Sequence, residues 1–367
     1  MSELFLKPRL ITLGGKGITK KISIGGSSLV TIQTMWKEPI DKIKDDDKAL
    51  HELLIKINDL QAIGCDIIRF AVPDIPSAQS LVKIAEQTSM PLVADIHFDY
   101  LLALECLKGN VAAIRINPGN IGSIDRVEAV VNGCRENGTA MRIGVNSGSL
   151  PKELAEKVDR KEISREEALV ETAARECSVF EDLKFDQYAV SMKASSVEET
   201  ILCNESFAKK YDVPLHIGVT EAGPLITGVV KSTMAFTHLL REGIGSTIRV
   251  SLSSTPENEV ITGREILHEC GLRKGGVTIV SCPRCGRLGF DVHSFVERWQ
   301  TRLLAMDKEI TVAVMGCVVN GPGEGRHADI GIAGTKDKAI IFKKGKIVQT
   351  IDAKDADKVF EKELLYL

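Results

Sequence analysis

The feature that most restricts the fold of this chain is an alternation of short apolar runs with longer amphipathic stretches, repeated eight times. Each apolar run has the length of a buried strand and precedes a stretch with helical periodicity. The predicted strands are Val30–Met35, Cys65–Val72, Pro91–His97, Val111–Asn117, Ala140–Asn146, Gln187–Lys193, Pro214–Glu221 and Ser246–Leu252. The predicted helices are Asp47–Ile63, Ser77–Thr88, Tyr100–Leu107, Ile124–Asn137, Arg165–Leu183, Ser196–Tyr211, Leu225–Arg241 and Asn258–Leu272. Eight such units predict an α/β fold, a closed (β/α)8 TIM barrel.

Three segments lie outside this alternation. Ile11–Ile24, with the glycine pairs Gly14–Gly15 and Gly25–Gly26, is predicted to be a hairpin, and the break Ser147–Ser164 is long enough to act as a lid. From Val277 onward strands and helices follow a different order, which predicts a small α+β domain. The predicted domains are therefore a barrel over residues 1–274 and a second domain over residues 275–367.

Polar residues near the ends of the predicted strands locate a functional site. A buried charge is costly unless it is satisfied, and barrel active sites form at the C-terminal ends of the strands. The residues at these ends are the basic Arg69, Arg115, Arg142, Lys193 and Arg249, and the polar Asn117, Asn146 and Ser251. Guanidinium and ammonium groups are the usual partners of phosphate oxygens. The set therefore predicts a pocket for a small, doubly phosphorylated anion.

Two acids and one histidine join the same end of the barrel. Asp95 and His97 are two residues apart, so they share one face of their strand. Asp95 and Glu221 are candidates for orienting the basic groups, for contacting hydroxyls or for general acid–base catalysis, and His97 is a candidate for the same chemistry. The alternative for the whole charged set is a network of internal ion pairs.

A cysteine motif near the end of the chain predicts a metal site. Cys282 and Cys285 form a Cys-x-x-Cys pair, and Cys317 precedes a Gly-Pro-Gly turn that can bring Glu324 beside it. Three thiolates and one oxygen donor would leave one iron of an iron–sulfur cluster with an exchangeable ligand. The alternatives are a structural zinc, a motif that binds nothing, and Cys270 in place of Glu324 as the fourth ligand.

Composition narrows the class of protein further. A net charge of -3 with mixed-sign surface residues gives no nucleic-acid footprint. No apolar run approaches the roughly 20 residues that cross a bilayer, so no membrane span is expected. Nine cysteines without a signal-peptide pattern predict a reducing compartment, namely the cytoplasm.

Seven segments carry a resemblance that spans nearly the whole chain. They are Ala94–Phe98, Ile114–Gly119, Arg142–Asn146, Ser191–Lys193, Gly218–Glu221, Ser281–Arg287 and Val314–Glu324. In this order and spacing they resemble the 4-hydroxy-3-methylbut-2-enyl-diphosphate synthases of the shorter bacterial type. The resemblance implies a barrel followed by a 4Fe-4S domain. It also implies a two-electron conversion of 2-C-methyl-D-erythritol 2,4-cyclodiphosphate to 4-hydroxy-3-methylbut-2-enyl diphosphate in the non-mevalonate isoprenoid route.

The same resemblance assigns roles to individual residues. Cys282, Cys285, Cys317 and Glu324 are expected to ligate the 4Fe-4S cluster. Arg69, His97, Arg115, Asn117, Arg142, Asn146, Lys193, Arg249 and Ser251 are expected to hold the diphosphate. The expected electron donor is flavodoxin or ferredoxin.

Chain connectivity also predicts a homodimer. The eighth barrel helix returns the chain to the end opposite the anion pocket, and the linker 273–276 spans at most ~15 Å against a helix of ~22 Å. Each cluster domain is therefore expected to cap the barrel of its partner. Two other functions remain as competitors: a pterin-type barrel transferase with a structural zinc, and a non-enzymatic iron–sulfur sensor.

Overall fold

The computed structural model of the protein describes residues 5–283, 285, 289–317, 323, 325–335 and 337–367. It divides into two compact units, Met1–Arg273 and Lys274–Leu367. Over the described residues, no helix combines the length and the apolar character needed to cross a membrane.

The first unit is a barrel of eight parallel strands that follow one another around the ring in chain order. They are β3 (Thr31–Met35), β4 (Ile67–Ala71), β5 (Leu92–Asp95), β6 (Ala113–Ile116), β7 (Ala140–Asn146), β8 (Tyr188–Lys193), β9 (His216–Ile217) and β10 (Thr247–Ile248). β10 pairs with β3, and a bridge between Val190 and Leu215 joins β8 to the segment leading into β9. The predicted closed barrel is confirmed.

The outer layer consists of eight helices, one after each strand: α1 (Asp47–Ala62), α2 (Ile75–Ala85), α3 (Tyr100–Cys106), α5 (Ile124–Asn137), α7 (Arg165–Asp182), α8 (Val197–Ala208), α9 (Leu225–Arg241) and α10 (Pro256–Glu269). Two shorter helices, α4 (Pro118–Ile121) and α6 (Lys152–Asp159), lie in loops at the strand ends. Within the break predicted as a lid, α6 packs against α7, because Leu154 is buried and Glu153 pairs with Arg175. The lid function stays a prediction.

A hairpin closes the end of the barrel where the strands begin. Its strands β1 (Ile11–Leu13) and β2 (Ile22–Ile24) are antiparallel, and Ile11, Leu13 and Ile24 are buried. They pack against the first residues of the barrel strands, which include Ile67, Val93, Ala113, Ala140 and Ala189. Small alanines leave room for the large hairpin side chains, so the end is sealed by apolar packing.

The second unit has a five-stranded sheet in the order β11 (Val277–Ser281), β12 (Ile310–Met315), β13 (Ile330–Gly334), β14 (Lys338–Lys343) and β15 (Lys346–Asp352). The first three strands are parallel and the last two antiparallel to their neighbours. Helices α11 (Val292–Leu304) and α12 (Ala356–Leu365) supply Phe295, Trp299 and Phe360 to its core. Phe360 meets the other two rings edge-on, at centroid distances of 5.3 and 5.1 Å.

Candidate active site at the barrel mouth

Strand register brings the predicted charges together. Asp95, Arg115 and Arg142 lie directly opposite one another on three neighbouring strands, β5, β6 and β7. In-register residues of parallel strands point to the same side of the sheet. All three side chains are buried, so the barrel wall surrounds them instead of solvent.

The negative charge of Asp95 partly balances the positive charges of Arg69 and Arg115. Its carboxylate lies 3.1 Å from Arg115 Nη1, 3.5 Å from Arg69 Nε and 3.6 Å from His97 Nε2. Burial alone would raise the pKa of Asp95, but Arg69, His97 and Arg115 outweigh it and hold that pKa well below its usual range. Asp95 is therefore ionised at neutral pH, which suits a positioning role better than proton donation. The His97 ring is about half exposed and faces the mouth from this carboxylate.

Arg142 and Lys193 form the least compensated part of the cluster. Arg142 Nη1 donates to the neutral Gln33 Oε1 at 2.7 Å, while its Nε and Nη2 are buried and have no hydrogen-bond partner among the described residues. Lys193 is 6% exposed. Burial and the neighbouring cations, Arg69 among them, lower the pKa of both side chains well below the ordinary values. An anion placed here would relieve both the desolvation and the mutual repulsion.

Arg249 is fixed by a carboxylate that sequence reasoning missed. Its Nη1 donates to Ser251 Oγ at 2.8 Å, and its Nη2 lies 3.2 Å from Glu259 Oε1. Glu259, on α10, is fully buried and also accepts from Thr34 Oγ1 at 2.8 Å. Lys37 Nζ lies 3.0 Å from the same carboxylate, so the mouth carries a further cation just beyond β3.

Other missed residues lie inside the barrel. Gln33 and Thr31 alternate with the apolar Val30 and Ile32, and that alternation was the available signal for an inward-facing Gln33 side chain. His216, on β9, contacts Thr247 Oγ1 through Nδ1. Burial, followed by the charges of Arg142 and Lys193, lowers the pKa of His216 well below its ordinary value, so the ring is neutral. His216 lies between Leu215 and Ile217 in the predicted strand Pro214–Glu221, and this apolar setting was the available signal.

The remaining predicted contacts lie on segments that follow the strands. Asn117 Oδ1 accepts from Gly119 N at 3.2 Å and thereby caps α4. Asn146 ends β7 directly opposite Lys193. Glu221 is exposed and has a left-handed backbone with φ of 50°, a conformation that costs a non-glycine residue energy and is concentrated at functional sites.

The predicted cluster ligands belong to the second unit. Cys282 and Cys317 follow the ends of the adjacent parallel strands β11 and β12, and Cys282 N donates to Val314 O at 3.0 Å. Gly289 N donates to Gly316 O at 2.8 Å, so the loop that carries the exposed Cys285 begins and ends at this edge. Over the described residues, no three Cys, His, Asp or Glu side chains approach closely enough to hold a metal ion. Glu324 lies outside the described residues.

The donor chemistry nevertheless fits an iron–sulfur group. Thiolates are the preferred ligands of such clusters, and the ends of adjacent parallel strands meet at one edge of a sheet. Cys282 packs partly buried against an apolar cluster that includes Met315 and Phe342, which would shield a bound group from water on that side.

Comparison with known families covers both units. The model of the GcpE TIM-barrel domain matches residues 17–264, and the model of the GcpE protein C-terminal domain matches residues 278–365.

Curated relatives match along almost their whole length. A protein of Treponema denticola named 4-hydroxy-3-methylbut-2-en-1-yl diphosphate synthase (flavodoxin) is 56% identical, over 97% of this chain and 98% of its own. Proteins of the same name from Treponema pallidum and Clostridium acetobutylicum are 54% and 47% identical. They are matched over 95% and 90% of this chain and over 87% and 92% of their own lengths.

Proposed function

The chain belongs to the GcpE family of 4-hydroxy-3-methylbut-2-en-1-yl diphosphate synthases, and we propose that the cations at its barrel mouth hold the diphosphate of the substrate. The protein is an oxidoreductase of isoprenoid biosynthesis. It converts 2-C-methyl-D-erythritol 2,4-cyclodiphosphate to 4-hydroxy-3-methylbut-2-enyl diphosphate, with flavodoxin as the electron donor.

The observation that carries the assignment of the pocket is its charge balance. Within the described part of the chain, five buried or half-buried cations, Arg69, Arg115, Arg142, Lys193 and Arg249, and the more exposed Lys37 beside Glu259 face two buried carboxylates, Asp95 and Glu259. Opening the cyclic diphosphate breaks a carbon–oxygen bond and leaves an additional negative charge on the phosphate group. Preorganised cations around that group stabilise the developing charge without reorganising, which lowers the barrier.

The remaining polar residues are assigned to orientation and proton transfer. We assign Asn117, Asn146 and Ser251 to contacts with the phosphate and hydroxyl oxygens, because each lies at or just beyond the end of its strand. The reaction consumes two electrons and one proton, releases one water as the hydroxyl leaves, and leaves the additional negative charge on the opened diphosphate. His97 beside the ionised Asp95, and Glu221 at the rim, are the candidates for delivering the proton.

We assign Cys282, Cys285, Cys317 and Glu324 as the ligands of a 4Fe-4S cluster. When bound, this group supplies the two electrons in single steps and an iron whose carboxylate ligand can exchange. Anaerobically purified protein should contain about four irons and four sulfides per chain. Cys285→Ser should lose most of that iron, whereas Cys134→Ser, at a buried thiol of the barrel, should retain it. Equal iron in both variants would contradict the ligand set.

We also propose that the protein is a homodimer in which each C-terminal unit caps the barrel of its partner. Arg273 supports this, because its Nη1 donates to Gly64 O at 2.9 Å and its Nη2 pairs with Asp66 at 3.1 Å. These partners precede β4, so the chain is fastened at the closed end of the barrel. Only residues 274–276 remain before β11, about 10 Å when extended, against about 21 Å for α10.

Trans-capping is tested by mixing two inactive proteins. One carries Cys285→Ser and the other Arg142→Ala. If the units cap in trans, each mixed dimer contains one complete site of two, and statistical exchange should restore about a quarter of wild-type turnover. Absence of recovery in dimers shown to have exchanged would reject trans-capping.

The redox assignment is tested by anaerobic turnover with reduced flavodoxin. Mass spectrometry should detect the linear diphosphate, and turnover should stop when the cyclic diphosphate or the reductant is omitted. Reduced ferredoxin serves as the comparison donor. The nine cysteines of the chain support a reducing compartment, and we propose that this is the cytoplasm.

A further inference from the structure

The barrel closes at a seam between its first and last strands, where the strand pairing is short. β10 pairs with β3 through two residues, Thr247 and Ile248. The residues that follow toward the mouth include Arg249 and Ser251, both assigned above to the diphosphate. The pairing between β10 and β3 has ended at their level, so interstrand hydrogen bonds to β3 do not hold this segment in place.

The side chain of Glu259 bridges the seam at this level. Glu259 lies in the first turn of α10, where the helix dipole favours an ionised carboxylate, and its side chain is fully buried. Its Oε2 accepts from Thr34 Oγ1 on β3 at 2.8 Å. Its Oε1 accepts from Leu252 N, on the other side of the seam, at 3.1 Å. One carboxylate therefore joins the two segments beyond the point where their strand pairing has ended.

The same carboxylate holds Arg249. Nη2 of Arg249 lies 3.2 Å from Glu259 Oε1, and Nη1 donates to Ser251 Oγ at 2.8 Å. A guanidinium is planar, so contacts at two of its nitrogens fix its plane. Lys37 Nζ lies 3.0 Å from Glu259 Oε1 and donates to Leu252 O at 2.8 Å. Glu259 is thus shared between two cations, and it neutralises Arg249 only in part.

We propose that Glu259 is a positioning residue for the reaction: it holds Arg249 in the orientation in which the guanidinium meets the diphosphate, and Thr34 holds Glu259. The inference rests on the proposed diphosphate site. Stability alone is a weak reason for this carboxylate, because a buried ion pair is often no more stabilising than well-packed apolar residues. Preorganisation is a stronger reason, since a misplacement of about 1 Å caused by a change remote from the reacting atoms can cost about a hundredfold in rate.

The test is the Kd of the cyclic diphosphate, measured by titration calorimetry on anaerobic holoprotein without a reductant, so that no turnover occurs. Glu259→Asp keeps the charge but is one methylene shorter, so it cannot reach Thr34 and Arg249 together, and Kd should rise about tenfold. Thr34→Val removes only the hydroxyl that holds Glu259 and should raise Kd about threefold. Thr172→Val removes a buried hydroxyl of α7 that donates to Ala168 O, and this control should bind as the wild type does.

The same titrations separate positioning from a loss of folded protein. A merely structural role would lower the number of binding sites per chain and leave Kd unchanged. Arg249→Met alone should weaken binding, and in that background Glu259→Asp should have no further effect on Kd, because Glu259 acts through Arg249.

The outcomes also separate this inference from the proposal on which it rests. An unchanged Kd in Glu259→Asp, or an equal rise with and without Arg249, would reject the positioning role and leave the diphosphate site standing. If Arg249→Met binds as tightly as the wild type, the assignment of Arg249 to the diphosphate is wrong, and the inference fails with it. If Glu259→Asp does not fold, Thr34→Val decides, and an unchanged Kd in that variant rejects the positioning role.

Discussion

At its closed end the barrel is filled by neutral side chains, whereas towards the mouth five consecutive strands, β4 to β8, each carry a charged side chain. The hairpin residues Ile11, Leu13 and Ile24 seal the closed end against alanines of β6, β7 and β8. Only a few residues further along these strands, Arg115, Arg142 and Lys193 are buried with incomplete compensation.

Burial therefore has opposite effects on stability at the two ends of the barrel. At the closed end, burial removes apolar surface from water and stabilises the fold. At the mouth, burial desolvates cations and thereby costs stability, and the cost is recovered when an anion binds. Substitutions at the two ends should therefore have opposite signatures in activity and stability.

The largest effect is expected from Arg142→Met. The variant removes a buried guanidinium whose protein partner is the neutral Gln33, so kcat/KM should fall by about a thousandfold or more. The melting temperature should stay constant or rise, because an uncompensated charge is lost. Steady-state kinetics and anaerobic thermal melts measure both, with Arg160→Met, an exposed arginine paired with Glu162, as the control. If Arg142→Met loses stability while kcat/KM is unchanged, Arg142 stabilises the fold and does not bind the substrate.

At the closed end, Leu13→Ala should show the reverse signature. Leu13 is 5% exposed, and truncation of such a residue costs about 2–5 kcal/mol through lost burial and the cavity that remains. Urea unfolding of the barrel should shift accordingly, while KM for the cyclic diphosphate stays within about twofold. Leu29→Ala, at a 76% exposed leucine, is the control with little expected effect. A large rise in KM for Leu13→Ala at a temperature where the variant is folded would show that the two ends are coupled.

Asp95→Asn is expected to lower both activity and stability, unlike the substitutions at the mouth and at the closed end described above. Loss of the carboxylate leaves Arg69 and Arg115 without their shared counter-charge, which should cost roughly 2–3 kcal/mol at pH 7. The pKa of Asp95 is depressed in the folded protein, so its contribution is fully present above about pH 4 and is lost as the pH falls below that value. Unfolding curves at several pH values should therefore converge for wild type and variant only in acid. Convergence near neutral pH would exclude an ionised Asp95.

The smallest effect is expected at Glu176 on α7, behind the Asn117 loop. Burial raises the pKa of Glu176 to about 7, partly offset by a hydrogen bond from Gly119 N. The folded protein therefore holds this proton more tightly than the unfolded chain, and stability should fall as the pH rises from about 4.5 to about 7. Glu176→Gln should remove this slope, so the variant gains on the wild type in melts between pH 5 and pH 8. Parallel pH profiles would place the titration elsewhere.

The barrel could be predicted because period-two and helical patterns are local properties of the sequence. Strand lengths were less predictable: the regular strands β9 and β10 end at Ile217 and Ile248, although the apolar patterns continue. The mouth residues were identified because a charge within an apolar run stands out. The residues that hold these side chains in place do not stand out in the sequence, since Glu259 lies in an ordinary amphipathic helix and its partner Thr34 is 225 residues away. The cluster ligands and the diphosphate contacts stay predictions.

The shortness of β9 and β10 has a consequence for the integrity of the ring. Each of these strands contributes only two residues to the sheet. The regular strand pairing is therefore shortest on the side of the barrel that α9 covers. Thermal opening of the wall should begin there, and backbone amides of Ile217 and Ile248 should take up deuterium before those of β7.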